Sequence, residues 1–425
     1  MGLKPGYTVQ HINHECASRN PRRHVALAPE FQGLFLGNSI EPVNCYVLAH
    51  RGCAAWYKCL FGQRLAVLDP MCNLYADNSS QELVMPSKIH PKIRVAAVQA
   101  APTFLNMDAT IDKTINLMKE AAKQGAKLIA FPETWIPGYP WWIWLSAPAM
   151  GMQYVQRYHD NSLVVGSAEF GRLSQAARDC GIWLSTGYSE KAGGSLYMGQ
   201  ALFDDQGRVV KTRRKLKPTH VERTVFGEGD GTDLAVMETE IGNVGMLCCW
   251  EHLQPLSKYA MYAQNEQIHI AAWPSFSLYR GAAYALGAEV NNAASQIYAV
   301  EGQCFVLAPC ATISKEMHET LCTDDVQRQL LLQGGGFARI YGPDGAPLGK
   351  VLKETEEGLV MADIDLGAIS LSKSAADPVG HYSRPDVTRL LLNKTPGDRV
   401  VSHLMPGMVM SDAHSPAEPA VMVAN

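Results

Sequence analysis

Between Ile93 and Gly187, apolar runs with strand character alternate with segments whose apolar residues recur at helical spacing, and this alternation constrains the fold more than any other feature. Ile93-Arg94-Val95-Ala96-Ala97-Val98-Gln99 reads as a strand. Met107 to Gln124 then places Ile111, Ile115, Leu117, Met118 and Ala121 on a helical face that Gly125 closes. Lys127 to Phe131 is a second buried strand, Phe170 to Asp179 a helix, and Ile182 to Gly187 a third strand. Two hairpin-like pairs follow, turning at Asp204-Asp205-Gln206-Gly207 and at Ile241-Gly242-Asn243, and the second leads into Val244 to Cys249. A helix over Leu253 to Gln264, a strand over Ile268 to Ala272, a helix over Tyr284 to Val300 and a strand over Cys304 to Leu307 continue the alternation. A hairpin from Gly336 to Asp365 turns at Gly342-Pro343-Asp344-Gly345. The class is α/β, with mixed sheets covered by helices.

The flanks differ in texture from this centre. Up to residue 89, short apolar pieces such as Cys45-Tyr46-Val47-Leu48-Ala49 lie among basic, Pro and Cys residues without sustained period. Residues 1–89 read as an N-terminal extension, either poorly ordered or not native, because Met85 stands just before the first strand and suits an initiator. Residues 90–370 form the structured domain. From 371 to 425, Pro385, Pro396, Pro406, Pro416 and Pro419 lie among small and polar residues, which suits a disordered tail or an arm reaching a neighbouring subunit.

Composition excludes several classes. The chain of 425 residues is 47% hydrophobic and 18% charged, as a globular protein is, and its net charge of −4 supplies no field for nucleic acid or an acidic membrane. The most apolar stretch, Tyr139 to Val155, is interrupted by Pro140 and Gly151 and falls short of the ~20 residues of a membrane span. No signal-peptide core follows Met1. Eleven cysteines without zinc spacing fit reduced thiols in a cytoplasmic compartment, with no metal site expected.

Three segments at strand ends carry an acid, a base and a thiol. In Phe131-Pro132-Glu133, a carboxyl where a buried strand runs out has its pKa lifted if partly desolvated, and is unremarkable if solvated. The run Arg213-Arg214-Lys215-Leu216-Lys217 suits a solvated face, but strand alternation puts Arg213, Lys215 and Lys217 on one side, where a cation beside carboxylates would stabilise developing negative charge. In Cys248-Cys249-Trp250-Glu251-His252 a thiol precedes a helix start, a setting that favours thiolate, although a buried Cys is also a small core hydrophobe. Adjacent strand residues face opposite sides, so at most one of Cys248 and Cys249 faces the Glu133 strand end. His252, three residues beyond Cys249, has no assured contact with it. The aromatic segment Trp135 to Trp144 and Trp273-Pro274-Ser275-Phe276 suit an apolar pocket and equally a core cap; Tyr139, Trp142, Trp250 and Trp273 are the pocket candidates.

In this order, Phe131-Pro132-Glu133, Arg214-Lys215-Leu216 and Cys249-Trp250-Glu251-His252 resemble the nitrilase branch of the carbon–nitrogen hydrolase superfamily, over about Ile93 to Asp365. The resemblance implies a four-layer α-β-β-α sandwich. It also implies Cys249 as nucleophile, Glu133 as general base and acid, Lys215 as the cation beside the tetrahedral intermediate, and Glu222 as the additional glutamate that orients the lysine. It implies a small-molecule nitrile as substrate, no metal or organic cofactor, and a homo-oligomer built from dimers that extends in some members into a spiral or filament. The Cys-Trp-Glu-His form favours nitrile over amide; an amidase, a cyanide dihydratase or a catalytically silent oligomeric binding member are the alternatives.

Overall fold

The computed structural model describes residues 90–400, together with the backbone of three strands between residues 45 and 67. The chain divides into two compact units, Met1–Ser87 and Lys88–Asn425. In the first unit, β1 (Cys45–His50), β2 (Cys53–Phe61) and β3 (Arg64–Val67) form an antiparallel meander. No sustained period marks these strands in the sequence, and the apolar piece at Cys45 lies in β1. The rest of residues 1–89 lies outside the described residues.

The second unit opens as the alternation predicts, with β4 (Lys92–Ala100), α1 (Met107–Lys123) and β5 (Ala126–Ala130). Asn106 caps α1, its side chain accepting a hydrogen bond from the Ala109 N–H at 3.0 Å. Next come α2 (Trp142–Leu145), α3 (Pro148–Asp160), α4 (Ala168–Cys180), β6 (Trp183–Ala192), β7 (Ser195–Phe203), β8 (Val209–Arg214), β9 (Phe226–Gly227), β10 (Met237–Thr239) and β11 (Gly242–Cys248). The remainder is α5 (Pro255–Tyr262), β12 (Ile268–Ala272), α6 (Ala288–Gly302), β13 (Phe305–Ala308), β14 (Cys310–Ala311), α7 (Lys315–Leu321), α8 (Asp325–Leu330), β15 (Arg339–Tyr341), β16 (Pro347–Leu348), β17 (Gly358–Asp365) and α9 (Ala368–Ala375).

Two mixed sheets result, one of eight strands in the order β14-β4-β5-β6-β7-β8 with β17 and β9 attached, the other of six in the order β10-β11-β12-β13-β15-β16. The two-residue period of the strands builds the layers. Val95, Ala97, Leu128, Ala130 and Leu202 pack in one core with Val244, Met246, Ile268 and Ile270 of the other sheet. Their neighbours Ala96, Val98, Ile129, Ala201 and Phe203 pack the opposite way, on Ile111 and Met118 of α1 and Leu173 and Ala177 of α4. On the far side, Ala260 and Met261 of α5 and Tyr298 and Ala299 of α6 cover the six-stranded sheet. The architecture is a four-layer α-β-β-α sandwich.

Two expectations are corrected. The turn at Gly342–Gly345 does join a hairpin, but its second strand is β16, with Ile340 opposite Leu348. The residues Gly358–Asp365 instead run antiparallel to β4 in the other sheet, because Val360, Ala362 and Ile364 continue the inter-sheet core there and Asp363 pairs with Arg94 directly opposite at 2.7 Å. The helix expected from Leu253 begins at Pro255, after a 3-10 turn over Cys249–Leu253. The apolar stretch after Tyr139 runs into α3, which buries Gly151 and Tyr158.

The parallel strands β4, β5 and β6 in one sheet, and β11, β12 and β13 in the other, bring their carboxyl ends to a common edge, where sites in such sheets form. The segment after β5 crosses towards the second sheet, and the Glu133 N–H donates to the Trp273 carbonyl at 3.4 Å. Gly187 of β6 lies beneath this segment: a Cβ there would sit 2.3 Å from the Pro132 oxygen and 3.0 Å from the Glu133 Cα. Gly187→Ala should therefore push the Glu133 turn out of place and cost about 1–3 kcal/mol in chemical denaturation; stability and activity like wild type would show that the turn yields freely.

Candidate active site

Lys215 is delivered by the end of β8. Its N–H bonds the Met198 carbonyl at 2.7 Å, which extends the ladder by one residue and keeps the side chain on the inward face. Arg213, two residues earlier, faces the same way; Arg214 turns outward to a bidentate pair with Glu190. Lys217, expected inward, is exposed and paired with Glu228, because regular pairing ends before Pro218.

The Lys215 ammonium is fully buried and bridges two buried carboxylates, Glu133 Oε1 at 2.9 Å and Glu222 Oε2 at 2.8 Å. Glu222 sits in the first turn of a 3-10 helix over His220–Thr224, where its Oε2 also accepts from the Thr219 N–H at 2.5 Å. Its other oxygen accepts from the Tyr139 hydroxyl at 2.8 Å, and that hydroxyl accepts from Trp144 Nε1 at 3.0 Å. Glu133 is different. Its Oε2 has no hydrogen-bond partner among the described residues although the atom is buried.

Cys249 follows β11 in a left-handed conformation, φ +46°, a strained placement that turns its side chain out of the strand and into a cavity. Cys248 is buried in the core with the Arg213 guanidinium 4.0 Å from its sulfur. The two thiols thus part as alternation requires. The bend is fixed by Glu251, which accepts from the Cys248 N–H at 2.7 Å and from the Leu216 N–H at 2.9 Å, and forms a bidentate pair with Arg213 at 2.7 and 2.9 Å. One buried carboxylate therefore ties the turn carrying the thiol to the strand carrying Lys215. His252 makes no pair with the thiol; its Nδ1 meets the Cys249 carbonyl oxygen at 2.6 Å.

Burial governs the titration of the cluster. It pushes the Glu133 carboxyl up to about 8, the opposing pull of Lys215 being partly offset by the charge of Glu222. Burial acts to lower the Lys215 pKa, but the two carboxylates outweigh it and hold the group well above the usual lysine range. The Cys249 thiol is raised by burial and by Glu133, against the lowering effects of Lys215 and of the Trp250 backbone N–H. The thiol and the carboxyl of Glu133 are thus both raised by burial, beside an ammonium that is held charged by its two carboxylate neighbours.

The cavity at Cys249 is lined by Tyr139, Trp250 and Trp273, as expected, and also by Trp141, Trp144, Phe276, Leu278 and Leu286. Trp142 is not among the lining residues. It packs between Phe104, Tyr154 and Tyr158, with ring centroids at 6.4, 5.3 and 5.0 Å, because α2 is a single turn whose i,i+3 spacing puts Trp141 and Trp144 towards the cavity and Trp142 away. That spacing was visible in the sequence. Asn291, which accepts from Trp250 Nε1 at 2.9 Å, and the Arg213–Glu251 pair had no local signal, since both join distant segments.

The carbon-nitrogen hydrolase family model matches residues 94–373. The chain belongs to the carbon-nitrogen hydrolase family, and within it to the nitrilase branch. It is 64% identical to a nitrilase of Pseudomonas syringae pv. syringae (strain B728a) over 73% of this chain and 92% of that protein. It is 55% identical to an arylacetone-specific nitrilase of Alcaligenes faecalis, over 71% and 85%, and 51% identical to an aliphatic nitrilase of Rhodococcus rhodochrous, over 73% and 86%. The fold is shared with a carbon-nitrogen hydrolase from Helicobacter pylori G27, with a TM-score of 0.55, 18% identity, and 70% of this chain and 97% of that one covered.

Removing one member of the Arg213–Glu251 pair leaves a buried charge uncompensated. Arg213→Met should destabilise the protein by about 3–5 kcal/mol, and Arg213→Met with Glu251→Leu by less than the sum of the single changes, read from a denaturation double-mutant cycle. Strict additivity would mean that the pair does not couple the two segments.

Proposed function

We propose that this chain hydrolyses an organic nitrile to the carboxylic acid and ammonia through a covalent adduct on Cys249. The observation that carries the mechanism is Glu133 Oε2, buried and unpartnered among the described residues while Oε1 is held by Lys215. One oxygen is fixed and the other is free to exchange a proton.

A neutral thiol is a weak nucleophile and a nitrile carbon a modest electrophile, so attack needs removal of the thiol proton and protonation of the nitrile nitrogen. Glu133 does both in turn: it takes the proton of Cys249 as the S–C bond forms and returns it to nitrogen, leaving a thioimidate. A water deprotonated by Glu133 adds to the thioimidate carbon, Glu133 returns that proton to nitrogen and then relays the hydroxyl proton to it, and the tetrahedral species expels ammonia to give a thioester. A second water releases the acid and restores the thiol. Lys215 and the Trp250 N–H stabilise negative charge on nitrogen or oxygen in the tetrahedral stages, and Glu222, held by Tyr139, keeps Lys215 in place. These groups need no metal or organic cofactor. The aromatic cavity takes the organic part of the nitrile. Relatives named nitrilases at 51 to 64% identity favour this reading over an amidase or cyanide dihydratase, and the complete set of acid, lysine and thiol favours it over a silent binding member.

The same reading takes residues 90–370 as the hydrolase domain, residues 1–89 as an N-terminal extension, and residues 371–425 as a C-terminal tail that serves as an inter-subunit arm. Up to residue 400 this arm lies on its own chain, the Gly397 N–H donating to Asp230 at 2.7 Å and Arg399 to the Tyr197 hydroxyl at 2.7 Å. Leu256 of α5 and Ile297 and Val300 of α6 are exposed apolar side chains on two helices that pack together, which suits dimer formation and, by repetition, a homo-oligomeric spiral. Free thiols at the six cysteines of residues 90–400 suit the cytoplasm, and among the described residues no helix is long and apolar enough to cross a membrane.

Cys249→Ala, Glu133→Gln and Lys215→Ala should each lower nitrile turnover by roughly 10³-fold or more while remaining folded, and Cys248→Ala should act mainly on stability. Ammonia release measured with folded variants checks this; turnover by Cys249→Ala comparable to wild type would overturn the assignment. Because Glu133 must be ionised to accept the thiol proton and its pKa is raised, kcat/KM should fall as pH drops through about 8. A limb near the ordinary carboxylate range would contradict the role given to burial.

A further inference from the structure

Behind the Cys249 turn lies a second cluster of buried titratable groups that the chemistry above does not use. His252 Nδ1 meets the Cys249 carbonyl oxygen at 2.6 Å, His252 Nε2 meets His269 Nε2 at 2.8 Å, and His269 Nδ1 meets Glu266 Oε1 at 2.6 Å. The chain ends where the Tyr298 hydroxyl donates to Glu266 Oε2 at 2.6 Å. All four side chains are buried, with His269 and Tyr298 fully excluded from solvent.

The hydrogen bonds fix the number of protons. A carbonyl oxygen only accepts, so His252 Nδ1 carries a proton. Each of the two remaining short contacts needs one proton, so three protons are shared along the line from Cys249 to Glu266. Two distributions satisfy every contact. Either a histidine is an imidazolium facing an ionised Glu266, or all groups are neutral, with Glu266 protonated on Oε1 and donating to His269 Nδ1, and His269 donating through Nε2 to His252. In water the ion pair would win, because a carboxyl is the stronger acid. Here both partners have lost their hydration, and Glu266 has the Tyr298 hydroxyl as its one other donor among the described residues.

We infer that Glu266 is a protonated carboxylic acid heading a neutral, one-directional hydrogen-bond chain through His269 and His252 that ends on the Cys249 carbonyl and holds the nucleophile in its left-handed conformation. Burial pushes Glu266 up to about 8 and both histidines well below their usual range, in agreement. The charged groups around the chain pull in both directions: Arg213 and Lys258 oppose an imidazolium and Glu251 favours one, while Tyr262 and Cys304 border Tyr298. His252 also stacks on Trp273, centroids 5.1 Å apart, so the same chain steadies a cavity wall. His252, His269 and Glu266 are thus positioning residues, acting through the peptide of Cys249; this role rests on Cys249 being the nucleophile, whereas the proton arrangement does not.

Magic-angle-spinning NMR of the full chain labelled with 15N-histidine, assigned by difference against His252→Asn and His269→Asn, reads the protons directly. At pH 7 the inference expects His252 protonated on Nδ1 alone and His269 on Nε2 alone; an imidazolium at either position overturns it, whatever the substrate. Kinetics test the positioning role. A glutamine amide can donate to His269 and accept from Tyr298 as the neutral acid does, so Glu266→Gln should keep kcat within about threefold of wild type, whereas Glu266→Leu should lose about 10²-fold in kcat with little change in KM. A Gln variant as impaired as Leu means that a carboxylate is required, and two fully active variants mean that the chain does not position the thiol; each result overturns the inference.

Discussion

A lysine held without water between two glutamates is the interaction on which the site depends. Burying an ion costs several kcal/mol, and Lys215 is tolerated because two carboxylates and the Thr219 and Tyr139 donors behind Glu222 replace its lost hydration. The arrangement leaves the two carboxylates unequal. Glu222 has donors on both oxygens, so its charge is fully solvated by protein, while Glu133 keeps one oxygen free and a raised pKa. Two like groups around one cation thereby differ, one with both oxygens engaged and the other with one oxygen unpartnered among the described residues.

The sandwich makes this possible because no one segment could hold the cluster. Glu133 follows β5, Lys215 follows β8 and Cys249 follows β11, so acid and cation come from one sheet and the thiol from the other. The contacts that align the sheets at this edge are polar and buried: the Glu133 N–H to Trp273, and above all Glu251, which serves Arg213, Leu216 and Cys248 at once. Such a contact costs more if half broken than it contributes when whole, which concentrates mutational sensitivity around the chemistry.

Much of the fold was legible in the sequence because it rests on local periods. β4, α1, β5 and α4 lie within one or two residues of their expected bounds, since apolar repeats of 2.0 and 3.6 residues determine which face is buried. The destination of Gly358–Asp365 was not legible: a strand's own pattern says that it pairs, not with which partner, and β4 lies about 260 residues away. At the site, motif order pointed to Glu133, Lys215 and Cys249 and the resemblance added Glu222; Lys215 lies between Glu133 and Glu222, and Glu222 and Cys249 line the same cavity. Trp142 lies off the Cys249 cavity because a one-turn helix divides its aromatics between two faces, and the part played by Glu251 has no local signal because it joins backbones far apart in the chain.

The central claim is that Cys249, and not its buried neighbour, forms a covalent bond to the substrate carbon. Peptide mass spectrometry of wild-type protein acid-quenched during turnover of a nitrile tests this directly. The account predicts an acyl or imidoyl adduct on Cys249 that chases to free acid; an adduct confined to Cys248, or steady turnover with neither thiol ever modified, would contradict it.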